Sequence, residues 1–216
     1  MKIKWYGQSS FLLTTQGGTR ILIDPFHRLL GYHMPVVEAD IVIVTHDHRD
    51  HNQLQAASGD FLLVNRPEVY NKNDVTIHGV KTYHDKQNGA KRGENIVFVI
   101  QADEMTVCHS GDLGHLLTAE QKEAIGKIDV LMVPTGGGKT INGAEAAEVM
   151  KQLQPAIAIP MHYRTKELGI AGKLLFEKVD KFIAAAQKKV TEVSELEISC
   201  TSLNEYQGIV TFRNRP

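Results

Sequence analysis

The residues 46–51 concentrate the chemistry of this chain. His46-Asp47-His48-Arg49-Asp50-His51 packs three imidazoles and the carboxylate of Asp50 into one short stretch. Imidazole nitrogen and carboxylate oxygen are the donors that zinc, manganese and iron accept. If the first residues stay extended, the side chains at 46, 48 and 50 point to one side, and a turn must bring His51 round. Four donors so close in sequence do not easily surround one ion, so the spacing points to two ions sharing the loop. A solvated polar loop would account for the charges. It would not account for histidines crowded directly behind the apolar run at 39–45.

The elements that must position this loop are strands. Residues 2–6, 10–15 and 19–23 are rich in β-formers, with Gly17-Gly18 as a hairpin turn. The run 39–45 is β-branched almost throughout, as in a strand buried on both faces. Further strands are expected at 61–64, 75–83, 95–101, 105–110, 129–133 and 156–159, with β-pattern again at 195–203 and 208–213. Helices are expected at 118–125, where Thr118 and Gln121 make a capping pattern, and at 144–153, opened by Asn142 and Gly143. A third is expected at 173–189, where Leu175, Val179, Phe182, Ile183 and Ala186 share a face. At least five of the strands finish in Asp or His: Asp24, His46, His84, Asp112 and His162. The alternation of strands and helices without a composition break argues for a single mixed α/β domain over residues 1–216.

Composition narrows the function. With 24 basic against 25 acidic residues and 42 % hydrophobic content, the chain can bury a core, and it carries neither a polybasic arm nor an acidic tail. A nucleic-acid partner is therefore not expected. No apolar run approaches the length of a membrane span. The two cysteines, Cys108 and Cys200, cannot form a disulfide framework; both read as buried small hydrophobes, and a cytoplasmic setting is expected. The apolar face at 173–189 leaves a homo-oligomer open. Gly136-Gly137-Gly138-Lys139-Thr140 invites a nucleotide-binding reading, but such a loop needs glycine at 133, which is Val, and N–H groups that Pro134 lacks. It reads better as a loop bordering the site, with Lys139 facing an anion or solvent. No Gly-x-Ser-x-Gly elbow supports a serine hydrolase.

The stretch 46–51 resembles the signature of the metallo-β-lactamase superfamily, and other segments follow in that family's order. The opening 1–25 resembles the branch of ascorbate-6-phosphate lactonase-like hydrolases, although that branch often carries Gly-His-Ser where this chain has Gly7-Gln8-Ser9, so any role of that histidine is lost. His109-Ser110-Gly111-Asp112 is similar to the family's Gly-Asp-Thr motif, with Leu113 in place of Thr, and Ile159-Pro160-Met161-His162-Tyr163 to its final His motif. The likeness spans roughly residues 1–190 and implies a four-layered αββα sandwich with the metals at one edge. Carried over, it implies that His46, His48 and His84 hold one ion and that Asp50, His51 and His162 hold a second, with Asp112 bridging. Asp24 would orient a ligand histidine from behind. His109 competes with His84; the loop-like surroundings of His84 favour it, and His109 within a strand suits a core histidine. His27, His33 and His78 read as surface or structural residues, His115 as a candidate for the pocket wall, and Tyr163 as a donor to an oxyanion or a packing residue.

The function implied is that of a metal-dependent hydrolase with two zinc ions, or manganese or iron, in which an activated hydroxide oriented by Asp50 attacks a small anionic ester, lactone or phosphoester. The alternatives are an iron-binding redox or sulfur-chemistry enzyme on the same fold, and a metal-binding module without catalysis.

Overall fold

Two sheets stack face to face in the computed structural model, which describes residues 1–26, 28–29 and 31–213. His27 lies outside the described residues. The six-stranded sheet runs in the order Leu196–Glu197, Lys2–Gly7, Ser10–Thr14, Arg20–Ile23, Ile41–Ile43, Leu62–Val64. The eight-stranded sheet runs Val69–Lys72, Val75–Tyr83, Glu94–Ala102, Met105–His109, Val130–Pro134, Ile157–Met161, Gly208–Phe212, Val190–Val193. Between them lies a core in which Ile21, Ile23, Ile41 and Ile43 meet Phe98, Val107, Met132 and Ile159. The alternate residues Leu22 and Val42 face the other way, onto Phe26, Met34 and Leu168. The β-branched run at 39–45 thus forms a strand apolar on both faces, as its composition predicts.

Helices Ala119–Ile125, Gly143–Leu153 and Asp180–Ala186 cover the outer face of the eight-stranded sheet, setting Ile125, Val149 and Phe182 in one cluster with Val99, Leu131 and Ala158. Thr118 and Asn142 close the expected capping boxes with Gln121 and Glu145. The outer layer on the six-stranded side is thinner: a 3-10 turn at Leu54–Ala56, the short helix Gly169–Leu175 and irregular chain. The four-layer order stands, with most of its helix on one side.

The helix expected at 173–189 is in fact two. Gly169–Leu175 ends at Phe176 in extended conformation, and Asp180–Ala186 begins afresh. The backbone between them is used elsewhere: the Glu177 N–H donates to the Gly136 carbonyl at 2.7 Å and its own carbonyl accepts from the Arg164 N–H at 2.8 Å. A continuous helix would withdraw both groups, so tertiary bonding overrides the apolar periodicity. The expected face splits accordingly, with Phe182 buried and Leu175 46 % exposed. Cys200 is exposed rather than buried, since the β-pattern at 195–203 holds as strand only over Leu196–Glu197 before a turn tied by Ser199 and Ser202. Cys108 is buried, and burial pushes its thiol up to about 12.

Strand direction gathers the polar residues. Arg20–Ile23 and Ile41–Ile43 are parallel, and so are Met105–His109, Val130–Pro134 and Ile157–Met161. Val75–Tyr83 runs the same way as Met105–His109, because Glu94–Ala102 is antiparallel to both. Lys2–Gly7 shares the direction of Arg20–Ile23 by the same argument through Ser10–Thr14. Each strand therefore delivers its following residues to one edge of its sheet.

Candidate metal centre

Asp112 is the hub of that edge. One of its carboxylate oxygens, Oδ2, has the Nε2 atoms of His84, His162, His51 and His46 at 3.1, 3.3, 3.4 and 3.9 Å. Ligand atoms of His46, His48 and His84 lie within 4.8 Å of one another, as do those of His46, His51 and Asp112 and those of Asp50, His51 and His162. The structure thus brings all seven expected ligands together, in groups that share residues. His109 stays outside: its Nε2 donates to the Ser9 carbonyl at 2.9 Å and its Nδ1 accepts from the Gly111 N–H at 3.2 Å. It is a satisfied core histidine.

Backbone geometry holds the donors in place. Gly111 has φ 55°, and a Cβ there would strike the Asn95 side chain and crowd Thr45 at 2.8 Å, so the turn into Asp112 requires glycine. Asn95 in turn accepts from the Asp112 N–H at 2.9 Å and donates to the Ser110 carbonyl at 3.0 Å. Asp24 and His162 also carry left-handed backbone, with φ 46° and 52°. Non-glycine residues held in this region by their surroundings cluster at functional sites.

Asp24 sets two imidazoles at once. Its Oδ2 accepts from His51 Nδ1 at 2.8 Å and from Thr45 Oγ1 at 2.9 Å, and Thr45 Oγ1 lies 3.0 Å from His46 Nδ1. With the Thr45 proton given to Asp24, His46 Nδ1–H donates to the hydroxyl, and the Nε2 atoms of both rings face Asp112. The electrostatics agree. Burial, reinforced by the neighbouring His51, pushes His46 down to about 2, and burial likewise lowers His48 and His162. His51 is raised well above the usual range, because Asp112 and Asp24 outweigh its burial, and Asp112 is held far below the carboxylate range by His162 and His51 despite its own burial.

The donor set fits divalent ions. The Nε2 atoms of His46 and His51 and Oδ1 of Asp112 are buried without a hydrogen-bond partner among the described residues, which is costly unless a cation takes their lone pairs. Nitrogen and oxygen donors alone suit zinc, manganese or iron.

A cleft of about 730 Å³ opens over Asp112, His48, His84 and His162. Its wall adds groups that the sequence reading passed over as site residues: Gln8, Arg49, Arg92, Leu175 and Phe176. Lys139 is there too, on the glycine-rich loop, where Gly136 packs so tightly on the His162 carbonyl that a Cβ would collide with it. The end of strand 2–6 was a visible signal for Gln8. Arg92 had none, because Asp85 folds its loop by accepting from the N–H groups of Gln87, Gly89, Lys91 and Arg92. His115 does not line the cleft; it accepts from the Tyr83 N–H through Nε2 and donates from Nδ1 to the Leu116 carbonyl. Tyr163 is buried and stacked on Trp5 at 5.5 Å, a packing residue. His78 bonds the Ala124 carbonyl, and His33 is exposed.

The family profile described as Beta-lactamase superfamily domain matches residues 2–162. The chain belongs to the metallo-β-lactamase superfamily. A UPF0173 metal-dependent hydrolase of Thermococcus kodakarensis is 30 % identical over 195 residues, covering 76 % of this chain and 85 % of the relative. A solved Thermotoga maritima structure, assigned to the Zn-dependent hydrolases of the superfamily, is 39 % identical with a TM-score of 0.80, covering 98 % of this chain and 97 % of its own. The superfamily fold reaches further: a diiron β-hydroxylase from Streptomyces venezuelae, 12 % identical, superposes with a TM-score of 0.65 over 98 % of this chain and 52 % of its own. Among the described residues, no helix is long and apolar enough to cross a membrane.

Proposed function

We propose that this chain is a two-metal hydrolase of small anionic esters, lactones or phosphoesters. The observation that carries the reading is the convergence of four imidazole nitrogens on one oxygen of Asp112. His46, His48 and His84 would hold one ion and Asp50, His51 and His162 a second, with Asp112 placed to serve both. Two such ions, when bound, lower the pKa of water and polarise the scissile oxygen. Asp50, half-buried in the cleft wall, would orient the attacking water. Asp24 keeps the His46 and His51 rings aimed.

Charge supports the substrate class. The carboxylates of the cleft, Asp50 and Asp112, are committed to the ions, while Arg49, Arg92 and Lys139 line the same cleft without an ion-pair partner among the described residues. An anionic group of the substrate is their natural counter-charge. Together with the opening segment 1–25, this favours the ascorbate-6-phosphate lactonase-like branch. We take zinc as the metal, two per chain, with manganese and iron compatible with the same donors, and the cytoplasm as the setting, in keeping with two free thiols.

Elemental analysis of protein from its native host, followed by a panel of lactones, carboxylic esters and phosphoesters, tests the reading. About two zinc or manganese ions per chain, as a binuclear site requires, with turnover of one class is the expected result. Iron with a visible absorption band and no hydrolysis, or no turnover by metal-replete protein, overturns it.

A further inference from the structure

Gln8 follows the strand Lys2–Gly7 at the edge where the ligands gather. It is 1 % exposed, yet it lines the cleft with Asp112 and His162. Neither its amide nitrogen nor its amide oxygen has a hydrogen-bond partner among the described residues. The backbone beneath it is firmly held. It sits at φ 48°, and its carbonyl accepts from Trp5 Nε1 at 2.9 Å and from the N–H of His162 at 3.2 Å.

This position breaks two local rules at once. A left-handed backbone is unfavourable for a long side chain, and a buried carboxamide without a partner is unfavourable again. Methionine, of similar length and shape, would fill the space without the second cost. Conflicts of this kind, upheld by a rigid frame, mark positions kept for a ligand. The chemistry of the group narrows which ligand. The rim cations Arg49, Arg92 and Lys139 only donate, whereas a carboxamide donates and accepts side by side.

We infer that Gln8 is a substrate-binding residue whose carboxamide receives an uncharged hydroxyl or amide of the substrate at the buried end of the cleft, while the rim cations take its anion. The inference rests on the reading of the cleft as the active site of a hydrolase for anionic substrates. The substrate class is thereby sharpened to a polar, hydroxyl- or amide-bearing anion, and a simple alkyl anion is a poor fit.

Three measurements on metal-replete protein test it, with Gln8→Met and Lys139→Ala as variants. They are thermal unfolding, metal content, and calorimetric binding of a non-hydrolysable pair, 3,4-dihydroxybutylphosphonate and butylphosphonate. Wild type is expected to prefer the diol by on the order of tenfold, the worth of one or two neutral hydrogen bonds. Gln8→Met should lose that preference, bind butylphosphonate as before, keep its metal, and unfold about 2–4 °C higher because the unpaired carboxamide is gone. Lys139→Ala should weaken both ligands equally. A lower unfolding temperature or metal loss in Gln8→Met would make the residue a structural one. That result, or an unchanged diol preference with intact phosphonate binding, overturns the Gln8 assignment alone. Failure of wild type to bind either phosphonate overturns the anionic-substrate reading and the Gln8 assignment with it.

Discussion

The floor and the rim of the cleft are built on different principles. On the floor, each group is held by several others: Asp24 bonds Thr45 and His51, Asn95 bonds Asp112 and Ser110, and the strands behind them are buried on both faces. On the rim, Arg49 and Lys139 are exposed, and the segment 169–177 is a single short helix and an extended link. The contrast separates two jobs. Aiming metal donors demands sub-ångström order, which dense hydrogen bonding supplies. Recognising a substrate demands only charge and shape at the right distance, which a looser wall provides.

Substitutions on the two sides should therefore fail differently. The largest effect is expected from Asp112→Ala, which removes the shared carboxylate: hydrolysis should fall by at least about a thousandfold, with metal content reduced and circular dichroism unchanged. Full turnover with full metal in this variant would break the distinction at its root. Asp24→Asn leaves every donor present but misaligns two, so zinc affinity should drop by roughly 10–100-fold, read by competition with a chromophoric chelator. On the rim, Arg92→Ala and Lys139→Ala should each raise KM by about tenfold with kcat and metal content unchanged, the signature of uniform binding. A fall in kcat instead would move those cations into the reaction itself.

The smallest effect concerns the loop carrying Arg92. Burial works against the Asp85 carboxylate, but four backbone N–H groups outweigh it and hold the group at about 2. Its folded-state pKa lies below the usual value near 4, so its stabilisation is present above about pH 4 and is lost as pH falls toward 2. Asp85→Asn should unfold below wild type at pH 5, with the gap narrowing between pH 4 and 2 in thermal melts. A gap that widens over that range would contradict the assigned sign.

The same division decides what could be read from the residues. Strand ends marked by Asp24, His46, His84, Asp112 and His162 were legible because each stands at a break in β-pattern, and parallel strands bring such breaks to one edge. The capping boxes at Thr118 and Asn142 were legible because they are local. The split of 173–189 was not, since its cause is the pairing of Glu177 with Gly136 and Arg164, far away in the chain. Arg92 stayed hidden for a related reason: its place depends on a loop wound around Asp85. His115 was over-read, its nearness in sequence to Asp112 standing in for nearness in space, while Tyr163 took the packing role of its two readings.

The Glu177 link has a consequence for tolerance to substitution. Two separate turns, one ahead of Lys139 and one beyond His162, are tied by the backbone N–H and carbonyl of one residue and not by its side chain. Drift at position 177 can therefore run through nearly the whole amino-acid alphabet while the tie persists. Proline alone, having no N–H to offer Gly136, would cut it.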